Sequence, residues 1–173
     1  MEYNWGKEYE LNSSYNPNSI YFPVSTNPAR ALTFNLSLAS SNGYNYRRLY
    51  FARRANIYFY LYFRPSKRWS LSLMENNWIE LTPDRELEEQ TIRLRPGVRF
   101  NITKDINIGV YEETIISNKI GAFSHRIGVS FAYNFLPKSW LYLAINDLET
   151  KDEGVFSSQE RIIALKAKYL FFW

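Results

Sequence analysis

Apolar and polar residues alternate along most of this chain, and this alternation predicts β-strands. It is clearest at 92–102, where the even positions are apolar and the odd positions read Arg, Arg, Gly, Arg and Asn. The same period of two recurs at 30–39, 54–64, 69–74, 106–111, 127–135 and 163–173. A further segment, 140–147, is apolar on both faces, so its facing stays open. The pattern predicts eight clear strands, and 2–11 and 20–24 can supply a ninth and a tenth.

The connections between these strands are expected to alternate in length. Short turns with a lysine are predicted at 65–67, 103–105 and 137–139, and longer polar loops at about 41–52, 81–90, 117–124 and 148–160. Strands of about 9–12 residues joined in this way are typical of outer-membrane barrels. We therefore predict an all-β, antiparallel up-and-down transmembrane β-barrel, complete or part of a larger one. Residues 1–173 form one domain, with a less regular lead-in at 1–29 and eight strands over 30–173.

A soluble lipocalin-like barrel is the alternative, because its strands alternate too, with the apolar face inward. Here the polar face of one strand carries Arg93, Arg95 and Arg99, which a small dry interior could not hold without counter-ions. Aromatic residues make up 18% of the 173 residues, and they favour pleated surfaces. The longest apolar run, 57–63, is too short for a membrane helix. The outer membrane of a Gram-negative bacterium is the predicted location.

Three stretches resemble one known family. Residues 68–81 (RWSLSLMENNWIEL) are similar to its LSLSxxxNxIEL strand, 139–147 (SWLYLAIND) to its dLyLvYNe strand, and 159–171 (QERIIALKAKYLF) to its terminal dRxlllKltYLF segment. The family is the uncharacterised barrel domain that follows a family 9-type carbohydrate-binding module in large bacterial outer-membrane proteins. The chain departs from it at Ile145, where the family has tyrosine, and at the final Phe172 and Trp173.

The resemblance implies a function as well as a fold. The chain would correspond to the C-terminal half of such a protein, or to a shortened relative. It would act as a channel or transport-associated barrel, with glycans bound by an N-terminal module that this sequence does not include. The alternative is a non-conducting structural barrel that anchors and displays such a module.

Six basic residues are expected to line the barrel interior: Arg93, Arg95, Arg99, Arg126, Lys166 and Lys168. In an open lumen they would favour anions. Alternatively, they pair with carboxylates such as Glu112 or Glu113 and hold a closed barrel shut. A nucleic-acid binder would instead gather its basic residues on an exposed surface, so no nucleic-acid partner is expected despite a net charge of +4.

A second set of polar residues falls near the upper ends of successive ascending strands: Glu75, Asn77, Glu112, Glu113, Asn146 and Asp147. Such a ring can bind a divalent cation or sugar hydroxyls, or coordinate ions that bridge lipid phosphates. It can equally be solvated where strands leave the membrane. Pro96 beside Gly97 predicts a bulge in its strand.

No catalytic, cofactor or metal site is predicted, and we expect no enzyme. The chain has one histidine, His125, and no cysteine. Ser124 is its neighbour, but adjacent residues of a strand point to opposite faces and cannot form a serine–histidine pair.

Aromatic residues cluster near the predicted short turns, where they suit the membrane interface. The expected girdle comprises Tyr62, Phe63, Trp69, Phe100, Phe135, Trp140, Phe171 and Trp173. Tyr169, Phe171 and Trp173 share one face of the last strand, which we expect to be the signal read by the barrel-assembly machinery. Outer-membrane lipid is the other expected partner.

Overall fold

The computed structural model of the protein describes residues 2–5, 8–10, 13–15, 18–152 and 154–170, which form β-strands joined by short turns. This confirms the predicted all-β class, and no helix in these segments is long and apolar enough to cross a membrane. The strands are β1 Glu2–Trp5, β2 Glu8–Glu10, β3 Ser13–Tyr15, β4 Asn18–Ala29, β5 Leu32–Asn45, β6 Tyr50–Phe63, β7 Trp69–Leu81, β8 Leu87–Asn101, β9 Ile106–Ser117, β10 Gly121–Leu136, β11 Ser139–Asp152 and β12 Val155–Lys168.

The long strands form one antiparallel meander, as predicted. Strands β4 to β12 pair in sequence order, and β1 adds a tenth strand by pairing with Asn18 to Tyr21 at the start of β4. Strands β2 and β3 form a separate hairpin. Among the described residues β12 pairs with β11 alone, so the sheet is open.

The predicted contrast between short and long connections is wrong. At the lower end of the sheet the long strands are joined by 30–31, 64–68, 102–105 and 137–138, and at the upper end by 46–49, 82–86, 118–120 and 153–154. Connections at both ends therefore have two to five residues. The strands instead reach 12–16 residues, because polar segments that resemble loops in the sequence continue the ladder.

The bulge predicted at Pro96 is absent. On the β7 side Leu73 pairs with Pro96 in unbroken register. On the β9 side the pairs resume at Gly97 in the same register that they had at Leu94, with Arg95 and Pro96 skipped. Proline has no N–H to donate, and the two pairs at Arg95 and Pro96 are lost without a shift of register.

The two faces of the sheet differ in polarity and in exposure. In β10, Ile127 is 46% exposed and Val129 is 39% exposed, whereas Gly128 on the opposite face is buried and Ala132, also there, is only 9% exposed. Tyr44, Ala52 and Ala132 are the only buried apolar residues in the described part of the chain. The sheet therefore curves around its polar face and turns an apolar face outward, so it has no conventional hydrophobic core.

Register places the predicted aromatic girdle on both faces. Phe63, Trp69 and Phe100 lie on the apolar face near the lower end, with the rings of Trp69 and Phe100 4.4 Å apart. Phe135 has no register partner, but its ring lies 6.2 Å from that of Tyr133 on the same face. Tyr62 pairs with Ser72, and Trp140 pairs with Asn134. Both of these aromatics lie on the polar face because they occupy the alternate positions. Phe171 and Trp173 lie outside the described residues.

Candidate functional site

All six basic residues predicted to line an interior lie on the polar face. Arg93, Arg95 and Arg99 alternate along β8, and Arg126 lies across from Glu113. Lys166 and Lys168 pair with Tyr142 and Trp140 of β11. Period two in the strands and an unshifted register across the middle of the sheet bring these residues to one surface.

Arg95 is part of a layered arrangement around Tyr111. Its guanidinium lies 3.9 Å from the centre of the Tyr111 ring, a cation–π contact. The same ring covers Gly128, where an added Cβ would lie 2.1 Å from Tyr111 Cε1. The Tyr111 hydroxyl donates to Asn146 Oδ1 at 2.6 Å. One aromatic side chain thus spans β9, β10 and β11, filling the space above a glycine.

The carboxylates suggested as counter-ions separate onto opposite faces. Glu113 is buried on the polar face, with Oε2 4.0 Å from Arg95 Nη1. Glu112 lies on the apolar face, with Oε1 3.7 Å from His125 Nδ1. Of these two carboxylates only Glu113 therefore lies on the face of the basic residues, and it neutralises a small part of their charge.

Arg93 has an incomplete set of partners. Its guanidinium lies 5.9 Å from the centre of the Trp78 ring, while its buried Nε has no hydrogen-bond partner in the described structure. A buried donor without a partner is costly. Arg93 Nε is therefore a polar group of this face that the described side chains leave unsatisfied.

The six residues of the predicted upper polar ring do not share a face. Glu113 and Asn146 lie on the polar face, whereas Glu75, Asn77, Glu112 and Asp147 lie on the apolar face. Asp147 accepts hydrogen bonds from Ser158 and Arg161. Glu75, Glu112, His125, Asp147 and Arg161 mark where the apolar surface gives way to polar side chains. We call the apolar surface below them the apolar belt.

Above the apolar belt lies a network centred on Glu80 that the sequence does not predict. The Glu80 carboxylate accepts hydrogen bonds from Asn45 Nδ2 at 2.7 Å, Arg48 Nη1 at 2.9 Å, Tyr50 Oη at 3.1 Å and Arg54 Nε at 3.2 Å. Arg48 also contacts Glu88 and Glu89, and Lys119 contacts Glu88. The partners lie up to 41 residues apart, so no local motif announces them.

Burial raises the pKa of the Glu80 carboxyl. The hydrogen bonds from Asn45, Arg54 and Tyr50, together with the charge of Arg54, lower it by more than burial raises it. The net result is a pKa below the usual glutamate value. Glu80 is therefore a charged acceptor that joins the 46–49 turn to β6 and β7. This network stabilises the upper end of the sheet.

His125 lies at the upper edge of the apolar belt, 3.4 Å from Thr114 Oγ1 and 3.7 Å from Glu112. In the described part of the chain, no three His, Cys, Asp or Glu side chains are grouped so as to hold a metal ion. Of the predicted assembly signal, only Tyr169 is described. It follows β12 and stacks on Phe135 at 6.3 Å.

Comparison with known proteins identifies no relative of this chain. No protein-family model, curated protein or solved structure matches this chain. The functional argument therefore depends on the geometry of the two faces.

Proposed function

We propose that this chain is an outer-membrane β-barrel whose polar face lines a water-filled, anion-preferring channel. The observation that carries the proposal is the distribution of exposure. Large apolar side chains such as Ile127 and Val129 are exposed on one face, whereas the buried residues Ser70, Glu113 and Gly128 lie on the polar face. A water-soluble barrel would show the reverse, whereas lipid-facing strands are apolar outside and polar inside.

The height of the apolar belt fits a bilayer. On β10 its apolar side chains run from Phe135 to Ile127, eight residue steps or roughly 27 Å along the strand. At a strand tilt of about 40° this spans about 20 Å, close to the apolar band of outer-membrane barrels. His125 follows immediately above, where a polar side chain meets the interface.

Strand polarity supports closure of the sheet. Ten strands alternate in direction from β1 to β12, so these two edges run in opposite directions. A barrel closed between them keeps every pair antiparallel. Strand β1 is four residues long, and a longer pairing along β12 would complete the ladder.

The charge of the polar face supports anion preference. At the level of the apolar belt, its six basic residues are accompanied by the carboxylates of Glu113 and Glu160. A pore lined by excess positive charge favours anions. Transport of solutes, with glycans captured by an attached module, is the role that the family resemblance suggests. The proposal includes no catalytic step.

A non-conducting anchor is the second candidate, and the large aromatic side chains on the polar face favour it. Tyr58, Tyr60, Tyr62 and Trp78 lie on it along with Tyr111. In a barrel of about eight to ten strands, side chains of this size can fill the interior. Such a barrel would hold an attached domain at the cell surface and pass no ions.

Conductance separates the two candidates. The folded protein is inserted in planar bilayers under a KCl gradient, and the reversal potential reports anion preference. A triple Arg93→Ser, Arg95→Ser, Arg99→Ser variant should lose most of that preference. A matched triple at the lower end, Arg64→Ser, Lys67→Ser and Lys104→Ser, removes equal charge from the connecting turns and should retain most of it.

Two outcomes would contradict the channel. Absence of conductance from protein that migrates as a folded, heat-modifiable band in gel electrophoresis would favour the anchor. Cation preference in the unaltered protein would refute the assigned lining. A chain that stays soluble and monomeric without detergent would refute the membrane barrel itself.

A further inference from the structure

The polar face contains a cavity of about 410 Å³ over the middle of β6 to β10. Part of its floor is one row of register partners across four strands, Ser70, Arg99, Gly109 and Ser130. The next row upward contributes Ser72, Gly97 and Tyr111. Tyr60 and Tyr62 of β6 supply a wall. The volume falls within the range of small-molecule sites.

Two glycines shape the floor. A Cβ on Gly97 would lie 2.7 Å from Ser72 Oγ, and a Cβ on Gly109 would lie 2.7 Å from Ser130 Oγ and 3.9 Å from Arg99 Nε. The two serine hydroxyls thus occupy space that a larger residue would take, whereas Arg99 Nε lies at ordinary contact distance. Glycine at these positions lets polar groups lie close to the sheet.

The cavity is positively charged. Arg95 and Arg99 line it, and no aspartate or glutamate does. Arg95 is held against Tyr111, with buried Glu113 4.0 Å away and outside the lining. Arg99 forms no ion pair or hydrogen bond with the side chains that the structure describes. One of the two guanidinium groups is therefore available to a ligand.

We propose that this cavity binds a small hydroxylated carboxylate of the sugar-acid class. An arginine guanidinium binds a carboxylate through two parallel hydrogen bonds. Serine and tyrosine hydroxyls donate to and accept from the hydroxyl groups of such a ligand. The rings of Tyr60 and Tyr62 offer an apolar surface to its carbon skeleton. The site would give the proposed channel its preferred solute, although binding itself does not require conduction.

Calorimetric titration of the folded protein in detergent tests the site with three probes. Glucuronate should bind, and glucose, which lacks the carboxylate, should bind at least tenfold more weakly. Acetate, which lacks the hydroxyl groups, should also bind at least tenfold more weakly. Charge and hydroxyl recognition are thereby measured separately.

A variant pair identifies the residue responsible. Arg99→Gln should weaken glucuronate binding about tenfold or more, because it removes the charge-assisted contact, and should leave any glucose binding unchanged. Arg53→Gln makes the same change on the opposite face of β6 and should bind glucuronate as the unaltered protein does. Gel mobility checks that both variants fold.

The binding and conductance measurements together separate the proposed site from the proposed channel. Equal binding of glucuronate by Arg99→Gln and the unaltered protein would overturn the site, as would equal binding of glucose and glucuronate. Glucuronate binding without conductance would support the site and refute the channel. Anion conductance without glucuronate binding would overturn the site and leave the channel standing.

Discussion

Substitution of Gly128 by alanine tests the layered arrangement around Tyr111. The added Cβ would lie 2.1 Å from Tyr111 Cε1, 2.3 Å from Tyr111 Cζ and 2.7 Å from Asn146 Oδ1. Two of these distances involve ring atoms and none of the three can persist, so the ring must swing away. Its hydrogen bond to Asn146 and its cation–π interaction with Arg95 would then break together.

The expected destabilisation follows from the two interactions that the displaced ring can no longer make. The hydrogen bond contributes about 1 kcal/mol, and the cation–π interaction about 0.5–1 kcal/mol at a partly exposed site. Residual overpacking adds about 1–2 kcal/mol. Replacing glycine by alanine returns about 0.4–1 kcal/mol by restricting the unfolded chain. We expect the free energy of unfolding to fall by about 2–3 kcal/mol in total.

Urea titration of the protein folded in detergent, followed by tryptophan fluorescence, measures this change. Gly43→Ala is the matched control, because Gly43 also lies on the polar face and its added Cβ would meet only Arg54 Nη1 at 3.6 Å. That variant should change the free energy of unfolding by less than about 1 kcal/mol. In a Tyr111→Ala background, Gly128→Ala should be nearly neutral.

Two results would refute this reasoning. Gly128→Ala with unaltered stability would show that the ring does not cover the glycine. Equal destabilisation with and without the Tyr111 side chain would show that the cost has another source, since coupling between the two positions is what the packing requires.

Two further predictions concern the outward face and the upper end. Ile145→Arg places a charge on the apolar belt and should lower the stability of the protein folded in a membrane by about 2–4 kcal/mol. Ala144→Arg changes the neighbouring residue on the polar face and should fold and insert. Equal insertion of the two variants in vesicles would contradict the assignment of faces. The lowered pKa of Glu80 means that its contribution to stability is present above pH of about 4.5 and is lost as pH falls through the folded-state pKa. The protection factors of the amides in the 46–49 turn, corrected for intrinsic exchange, should therefore fall below that pH, and Glu80→Gln should reduce this pH dependence.

The sequence alone predicts the meander well because period two is a direct consequence of strand geometry. It underestimates strand length because polar stretches such as Ser40 to Gly43 lack the apolar members that reveal alternation. The facing of β11 also stays ambiguous until pairing with β10 sets Asn146 opposite Gly128. A strand with apolar residues on both faces contains no internal sign of its orientation.

The candidate site, too, could be predicted only in part from the sequence. The basic residues are assigned to one face by alternation along their own strands. Alternation also suffices to separate Glu112 from Glu113, so the prediction of one ring containing both is wrong for a reason visible in the sequence. The contacts of Tyr111 with Gly128, and of Arg48 with Glu80, depend on register between strands. Register follows from cooperation among many weak pairings, so a single sequence does not reveal it.

The meander has an evolutionary consequence. Every long strand pairs with its neighbours in sequence through connections of two to five residues, so each hairpin brings its own ladder, turn and pair of faces. Duplicating or deleting one hairpin leaves the direction and the facing of all other strands unchanged. The circumference of such a sheet can therefore change in steps of two strands without redesign of the remainder. Contacts between neighbours also keep loop-closure entropy small, so each added hairpin can fold against an edge that is already formed.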